Sequence, residues 1–169
     1  ANVETVLNRS QKGLYQTMDE KTLTLMQTPQ HLNLFCRVFA RNKGKQYTSI
    51  TELYDELWRQ TIDMANVDID KSATEEILYT LAQKIFDEET LAPRWNPDTK
   101  HVKEAIYLRS QGLIEYVNDG TMFFHQSMYD YVFARYYTQN GGSFIDDLLK
   151  EKKHQGLFMR STVNLVLDY

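Results

Sequence analysis

One cysteine, Cys36, excludes an internal disulfide, so this 169-residue chain must hold its fold by packing alone. Only 3 prolines and 7 glycines break the backbone pattern. No apolar run approaches the roughly 20 residues needed to span a bilayer, and nothing resembles a signal peptide, which makes the cytoplasm the default compartment. Basic charge is not in excess either. With 19 Lys and Arg against 23 Asp and Glu, the net charge is -4 and the pI is about 5.6. Such a balance argues against a whole-chain attraction to nucleic acid or anionic membrane and leaves only a local basic patch possible. What is present is an ordinary globular composition, 42% apolar, 25% charged and 12% aromatic, with 11 tyrosines. A chain of this length can bury one or two small cores. It begins at Ala1 without a methionine and ends at Tyr169 inside an apolar pattern (Leu157, Phe158, Leu165, Val166) that still reads as helix, so it reads as an excised segment.

The first 26 residues carry short helical stretches, around Val3 to Leu7 and Thr22 to Met26. Thr28-Pro29 then marks a helix start: an N-cap residue precedes a proline whose missing N–H costs nothing at the first helical position. Leu32, Phe35, Cys36 and Phe39 follow on one face. After a polar loop from Arg41 to Tyr47, Ser49 to Glu52 reads as a capping box opening a helix with Leu53, Leu57, Thr61, Ile62 and Ala65. Ser72 to Glu75 reads as a second capping box, opening a helix with the stripe Leu78, Leu81, Ala82, Ile85 and Phe86. Pro93 and Pro97 bracket a linker, and a helix from Asp98 is expected to carry Val102, Ala105 and Ile106 on one side until Gly112. Two β-rich runs, Leu113 to Val117 and Thr121 to Phe124, flank Asn118-Asp119-Gly120, a hairpin signal. Helix returns through Met128, Tyr131, Val132 and Ala134 until Gly141-Gly142. The sequence therefore predicts a mainly α chain: a helical bundle followed by a winged-helix domain with one β-hairpin, since helix, helix, hairpin, helix is winged-helix order. The expected domains are a small helical domain over 1–70, a winged helix over 71–140, and the start of a second helical domain over 141–169.

Chemistry-bearing motifs are scarce. Gly44-Lys45-Gln46 lacks the first glycine and the hydroxyl of a phosphate-cradling P-loop. Phe144-Ile145-Asp146-Asp147 imitates a Mg-binding strand end, but it follows glycine and precedes Leu148-Leu149 at helical spacing, which fits acids near a helix start. His31 and Cys36 stand isolated, and Asp68-Ile69-Asp70 lacks the glycine and closing glutamate of a calcium loop, so no metal is expected. Glu75-Glu76 and Glu88-Glu89 read as solvated helix ends, and no serine or cysteine has an identifiable base. No catalytic residue is assigned. His125 stands out where an aromatic strand hands over to a helix. Its imidazole could cap that helix, or donate to a phosphate near the helix start.

Thr28-Pro29-Gln30-His31-Leu32-Asn33-Leu34-Phe35-Cys36, Leu53-Tyr54, Ser110-Gln111-Gly112-Leu113-Ile114 and Phe123-Phe124-His125-Gln126-Ser127-Met128-Tyr129-Asp130-Tyr131-Val132-Phe133-Ala134 occur in that order. Together, over about residues 20–140, they resemble the NACHT-type STAND ATPases, a family that includes NOD-like immune receptors and bacterial defence proteins. The similar part of that family lies just after its P-loop core. The resemblance implies a helical domain whose proline, here Pro29, contacts adenine, and a winged helix whose histidine, here His125, contacts the ADP β-phosphate. It implies ADP or ATP bound together with a core domain, none for this segment by itself, and the P-loop core and sensor domains of one parent chain as partners. It also implies homo-oligomerisation on activation in signalling or defence. The Walker motifs, Mg site and sensor arginine of the core have no counterpart here, so the segment itself is not expected to hydrolyse ATP.

Two other functions fit the residues. A winged helix can bind nucleic acid, and the helix before the hairpin offers Lys100, His101, Lys103 and Arg109 against Asp98 and Glu104. The hairpin, with Glu115 and Asp119 and no lysine or arginine, would repel phosphate. A helical protein-interaction module would use a tyrosine-rich surface, such as Tyr129, Tyr136 and Tyr137, although such spacing also suits a core.

Overall fold

The computed structural model describes residues 2–41, 44–97 and 100–139. Among them the chain is mainly helical, with one two-stranded antiparallel sheet. It divides into two compact units between Met64 and Ala65, earlier than the boundary at 70 read from the sequence. The second helical domain expected over 141–169, and with it Phe144 to Asp147, lies outside the described residues.

In the first unit three short helices, α1 (Val3–Ser10), α2 (Leu14–Thr17) and α3 (Glu20–Leu25), precede α4 (Pro29–Phe39) and α5 (Ile50–Trp58). Short polar side chains start α1 and α3. Asn2 accepts from the Glu4 amide at 3.0 Å, and Asp19 from the Thr22 amide at 2.7 Å, a bond that holds the Asp19 carboxyl below its ordinary range. Pro29 takes the first position of α4 as expected, while the Thr28 hydroxyl makes no capping bond and only its carbonyl joins the ladder, to the Leu32 amide at 3.0 Å. The box at Ser49 forms: Ser49 Oγ accepts from the Glu52 amide at 3.2 Å, and the Glu52 carboxylate accepts most closely from the amide of Thr48, at 2.6 Å, with the Ser49 amide also turned to it. α4 buries Leu32, Leu34, Phe35, Val38 and Phe39, with Cys36 half-buried at the edge of the stripe.

The α5 helix does not run on in one register. Arg59–Asp63 forms a π-helical turn, in which the Met64 amide reaches the Arg59 carbonyl at 2.9 Å. Thr61 explains the slip, because its hydroxyl takes the Leu57 carbonyl at 2.6 Å and competes with its own amide for it. At this junction Glu56 is only 3% exposed. Its carboxylate accepts from Lys45 Nζ at 3.3 Å, from the Gln60 amide at 2.9 Å and from the Arg59 guanidinium. Gln60 also donates to the Val38 carbonyl at 3.1 Å and its own carbonyl accepts from Arg41, which ties the π-turn to the end of α4. Beside this carboxylate lies Tyr47, fully buried, its phenol pushed up by desolvation and then by the negative charge of Glu56. The Tyr47 carbonyl anchors α3 by accepting from the Thr22 hydroxyl at 2.9 Å.

The second unit packs α6 (Lys71–Glu88) against α7 (Val102–Ser110) and α8 (Gln126–Gln139), with β1 (Ile114–Val117) and β2 (Gly120–Phe123) between the last two helices in sequence. The capping box expected at Ser72 to Glu75 is not the start of α6. Asp70 caps it, accepting from Ser72 and Ala73 amides at 2.8 and 3.2 Å, and its own amide is satisfied by Glu104 of α7 at 3.3 Å. A carboxylate one position ahead of the helix outcompetes a serine already inside it. The expected face of α7 is also corrected. Ala105 and Leu108 are buried, as is Glu104, whose carboxylate accepts from the Asp70 amide, whereas Val102 and Ile106 are 51% and 56% exposed. α8 is buried on most sides, including Tyr129, Tyr131 and Tyr137, through a ladder of rings with Phe86–Phe133 centroids 4.9 Å and Phe133–Tyr137 centroids 4.7 Å apart.

The hairpin appears where expected, with Ile114 opposite Phe123 and Val117 opposite Gly120. That register makes Asn118-Asp119 the two-residue turn, with Asn118 at φ 54, and puts Gly120 in the strand. Gly120 serves a close approach instead: a Cβ there would lie 2.7 Å from the Pro93 carbonyl oxygen and 2.9 Å from that of Ala92. The linker is bound over it, with the Thr121 amide donating to Pro93 O at 3.2 Å and the Thr121 hydroxyl to Trp95 O at 2.6 Å.

Two substitutions test these supports. Gly120→Ala is expected to cost about 1–3 kcal/mol, the usual range for forcing atoms into filled space, and to speed hydrogen exchange at the Thr121 and Trp95 amides while leaving α4 amides unchanged. Glu56→Ala is expected to lower the unfolding free energy of the first unit by about 2 kcal/mol in urea. That is less than the ~3–5 kcal/mol of a broken buried pair, because Lys45 and Arg59 are half-exposed and can return to water.

Candidate functional site

The first turn of α4 borders a cavity of about 250 Å³. Pro29, Leu32, Asn33 and Cys36, spaced as one helix face, form one side of it, and Val3 and Val6 of α1 form another, with Met26 and Gln27 completing the lining. The Cys36 thiol accepts from Ser10 Oγ at 3.6 Å, a contact that links α4 to the end of α1. Pro29 itself is exposed, as befits a ring that lines a partly open slot. Its fixed φ starts the helix without a donor, which leaves its apolar face available to a ligand. His31, two residues on, points elsewhere: its Nδ1 lies 3.0 Å from the Leu25 carbonyl, to which it donates.

His125 lies in the second unit, between β2 and α8. Its carbonyl begins the α8 ladder, accepting from Met128 and Tyr129 amides at 3.0 and 3.4 Å, so its backbone holds the N-cap position. The imidazole stands edge-on to Phe124, centroids 4.6 Å apart, and is half-buried. Among the described residues none forms a hydrogen bond to it, so capping by the side chain is not what holds it here. An imidazole at a helix start is an arrangement suited to an anion.

The basic residues of α7 and its approach are engaged within the second unit. Lys100 pairs with Glu76 at 2.7 Å and His101 with the same carboxylate at 3.3 Å, which holds the Glu76 carboxyl below its ordinary range, chiefly through Lys100. Lys103 donates to the Asp68 carbonyl, and the Arg109 guanidinium lies over the Tyr116 ring at 4.5 Å. Of the three tyrosines considered as a surface, Tyr129 and Tyr137 are core and Tyr136 is half-buried against Tyr79. Among the described residues no group of three or more His, Cys, Asp or Glu side chains could hold a metal ion, and no helix is long and apolar enough to cross a membrane.

The sequence singles out Pro29 and His125 as candidates but not the walls around Pro29. Val3 and Val6 belong to a distant weak helix, and no spacing rule links them to α4; Asn33, at the fourth residue after Pro29, was within reach of helical periodicity. No family model, curated protein or solved structure matches the chain.

Proposed function

We propose that this chain is the regulatory segment, helical plus winged-helix, of a NACHT-type STAND ATPase of the cytoplasm, and that it senses the bound nucleotide without hydrolysing it. The main support is the position of Pro29, at the head of α4 on the wall of an apolar cavity. In this reading α6, α7, the hairpin and α8 form the winged helix, and the P-loop core and sensor domains of the same parent chain supply the rest of the site. The adenine of ADP lies against Pro29 and the β-phosphate accepts a hydrogen bond from His125 at the start of α8. ADP bridging the core to His125 keeps the winged helix closed. Exchange for ATP, or sensing by another domain, releases it and lets protomers assemble.

The nucleic-acid alternative is weakened by the engagement of Lys100, His101, Lys103 and Arg109 and by the acidic hairpin. The protein-interaction alternative loses two of its three tyrosines to the core.

A charge-assisted hydrogen bond contributes about 1.5–3 kcal/mol, which biases a closed–open equilibrium by about tenfold or more. In the full-length protein His125→Ala is therefore expected to weaken ADP binding about tenfold and to raise the oligomer fraction without added ligand, read by calorimetry and light scattering. Unchanged affinity with an unchanged oligomer distribution contradicts the latch.

A further inference from the structure

Resting on the nucleotide reading above, we propose that Asn33 is the residue that selects the base, its amide reading the edge of a purine held in the α1–α4 cavity and favouring adenine over guanine. Size comes first. A cavity of roughly 150 Å³ holds a benzene ring, so the 250 Å³ here suits one bicyclic base and is too small for a whole drug-sized ligand. Shape and polarity come second. Val3, Val6, Leu32 and the Pro29 ring give apolar walls for the faces of a ring, while the amides of Asn33 and Gln27 are the polar groups with a paired donor and acceptor on the lining. Availability comes third. Among the described residues neither amide has a hydrogen-bond partner, so nothing in the first unit competes for them.

An Asn amide pairs in two bonds with adenine, its oxygen accepting from the 6-amino group and its nitrogen donating to N7. At the same edge guanine presents O6 and N7, two acceptors, and the amide oxygen would face O6. Asn33 is better placed than Gln27 to enforce this, because it sits on the rigid α4 helix one turn from Pro29, whereas Gln27 lies in the turn before the helix on a longer side chain.

The test is a ¹H–¹⁵N NMR titration of the full-length, nucleotide-free protein, labelled in this segment, with adenosine and with guanosine, in wild type and in Asn33→Leu and Asn33→Asp. Asn33 is exposed, so neither variant is expected to disturb folding. The expected result is that adenosine shifts amides of α1 and the first half of α4, guanosine binds fivefold or more weakly, and Asn33→Leu abolishes the difference. Asn33→Asp should weaken adenosine without favouring guanosine, since a carboxylate has no donor for N7 and guanine offers only acceptors at that edge. Equal binding of both nucleosides by wild type, or an adenosine preference that survives Asn33→Leu, overturns the assignment to Asn33 and leaves Pro29 as a base contact intact. Shifts outside α1 and α4, or no shift with either nucleoside, overturn both this assignment and the base contact at Pro29.

Discussion

The first unit depends on where one carboxylate is kept. Glu56 is withdrawn from water at the point where α5 gives way to the π-turn, and a buried charge must be met by partners from several directions. Lys45 comes from the loop after α4, Arg59 and Gln60 from the π-turn, and Gln60 reaches on to the Val38 carbonyl near the end of α4. The same loop buries Tyr47, whose carbonyl holds Thr22 in α3. Fixing α4 at its C-terminal end also fixes its N-terminal end, since a helix is stiff. The Pro29 cavity thus has one wall, α4, on a helix anchored at its far end.

The second unit uses a different device for a similar end. Its hairpin is short, and two strands alone are marginal in water. Gly120 lets the Ala92–Pro93 backbone approach the strand, and Thr121 binds that linker at two points. The hairpin is also continuous with Phe124 and His125 at the head of α8, so the strap that fixes β2 also limits where the His125 backbone can lie. A phosphate contact from such a position would register the nucleotide state directly in the placement of α8, an element buried on most sides and therefore able to transmit a shift to its neighbours.

Local signals were legible in the sequence where local chemistry decided the outcome. Thr28-Pro29 began a helix, Ser49 capped one, and Asn118-Asp119 turned the hairpin. Signals failed where tertiary partners decided. Ser72 to Glu75 had the right spacing for a cap, yet Asp70, a carboxylate ahead of the helix, took it, and its own amide is bound by Glu104, distant in sequence. Val102 and Ile106 looked like an inner face, but the side of α7 that carries Glu104, Ala105 and Leu108 is the buried one. Gly120 was read as a turn residue when its part is to admit a backbone. Glu56 sat within an apparently ordinary amphipathic helix; Arg59 is within helical reach of it, but no periodicity marks the acid as buried or points to Lys45. Of the candidate site, the two residues carrying the family resemblance were visible; the cavity beside Pro29 and its free amides were not.

The central claim is that this segment reads a nucleotide held by a P-loop core in the same polypeptide. The most direct measurement is to sequence the reading frame upstream of Ala1. The account predicts a Gly-x-x-x-x-Gly-Lys-Ser/Thr loop about 150–250 residues before it, the room that one α/β core requires. A complete reading frame without such a loop would contradict it.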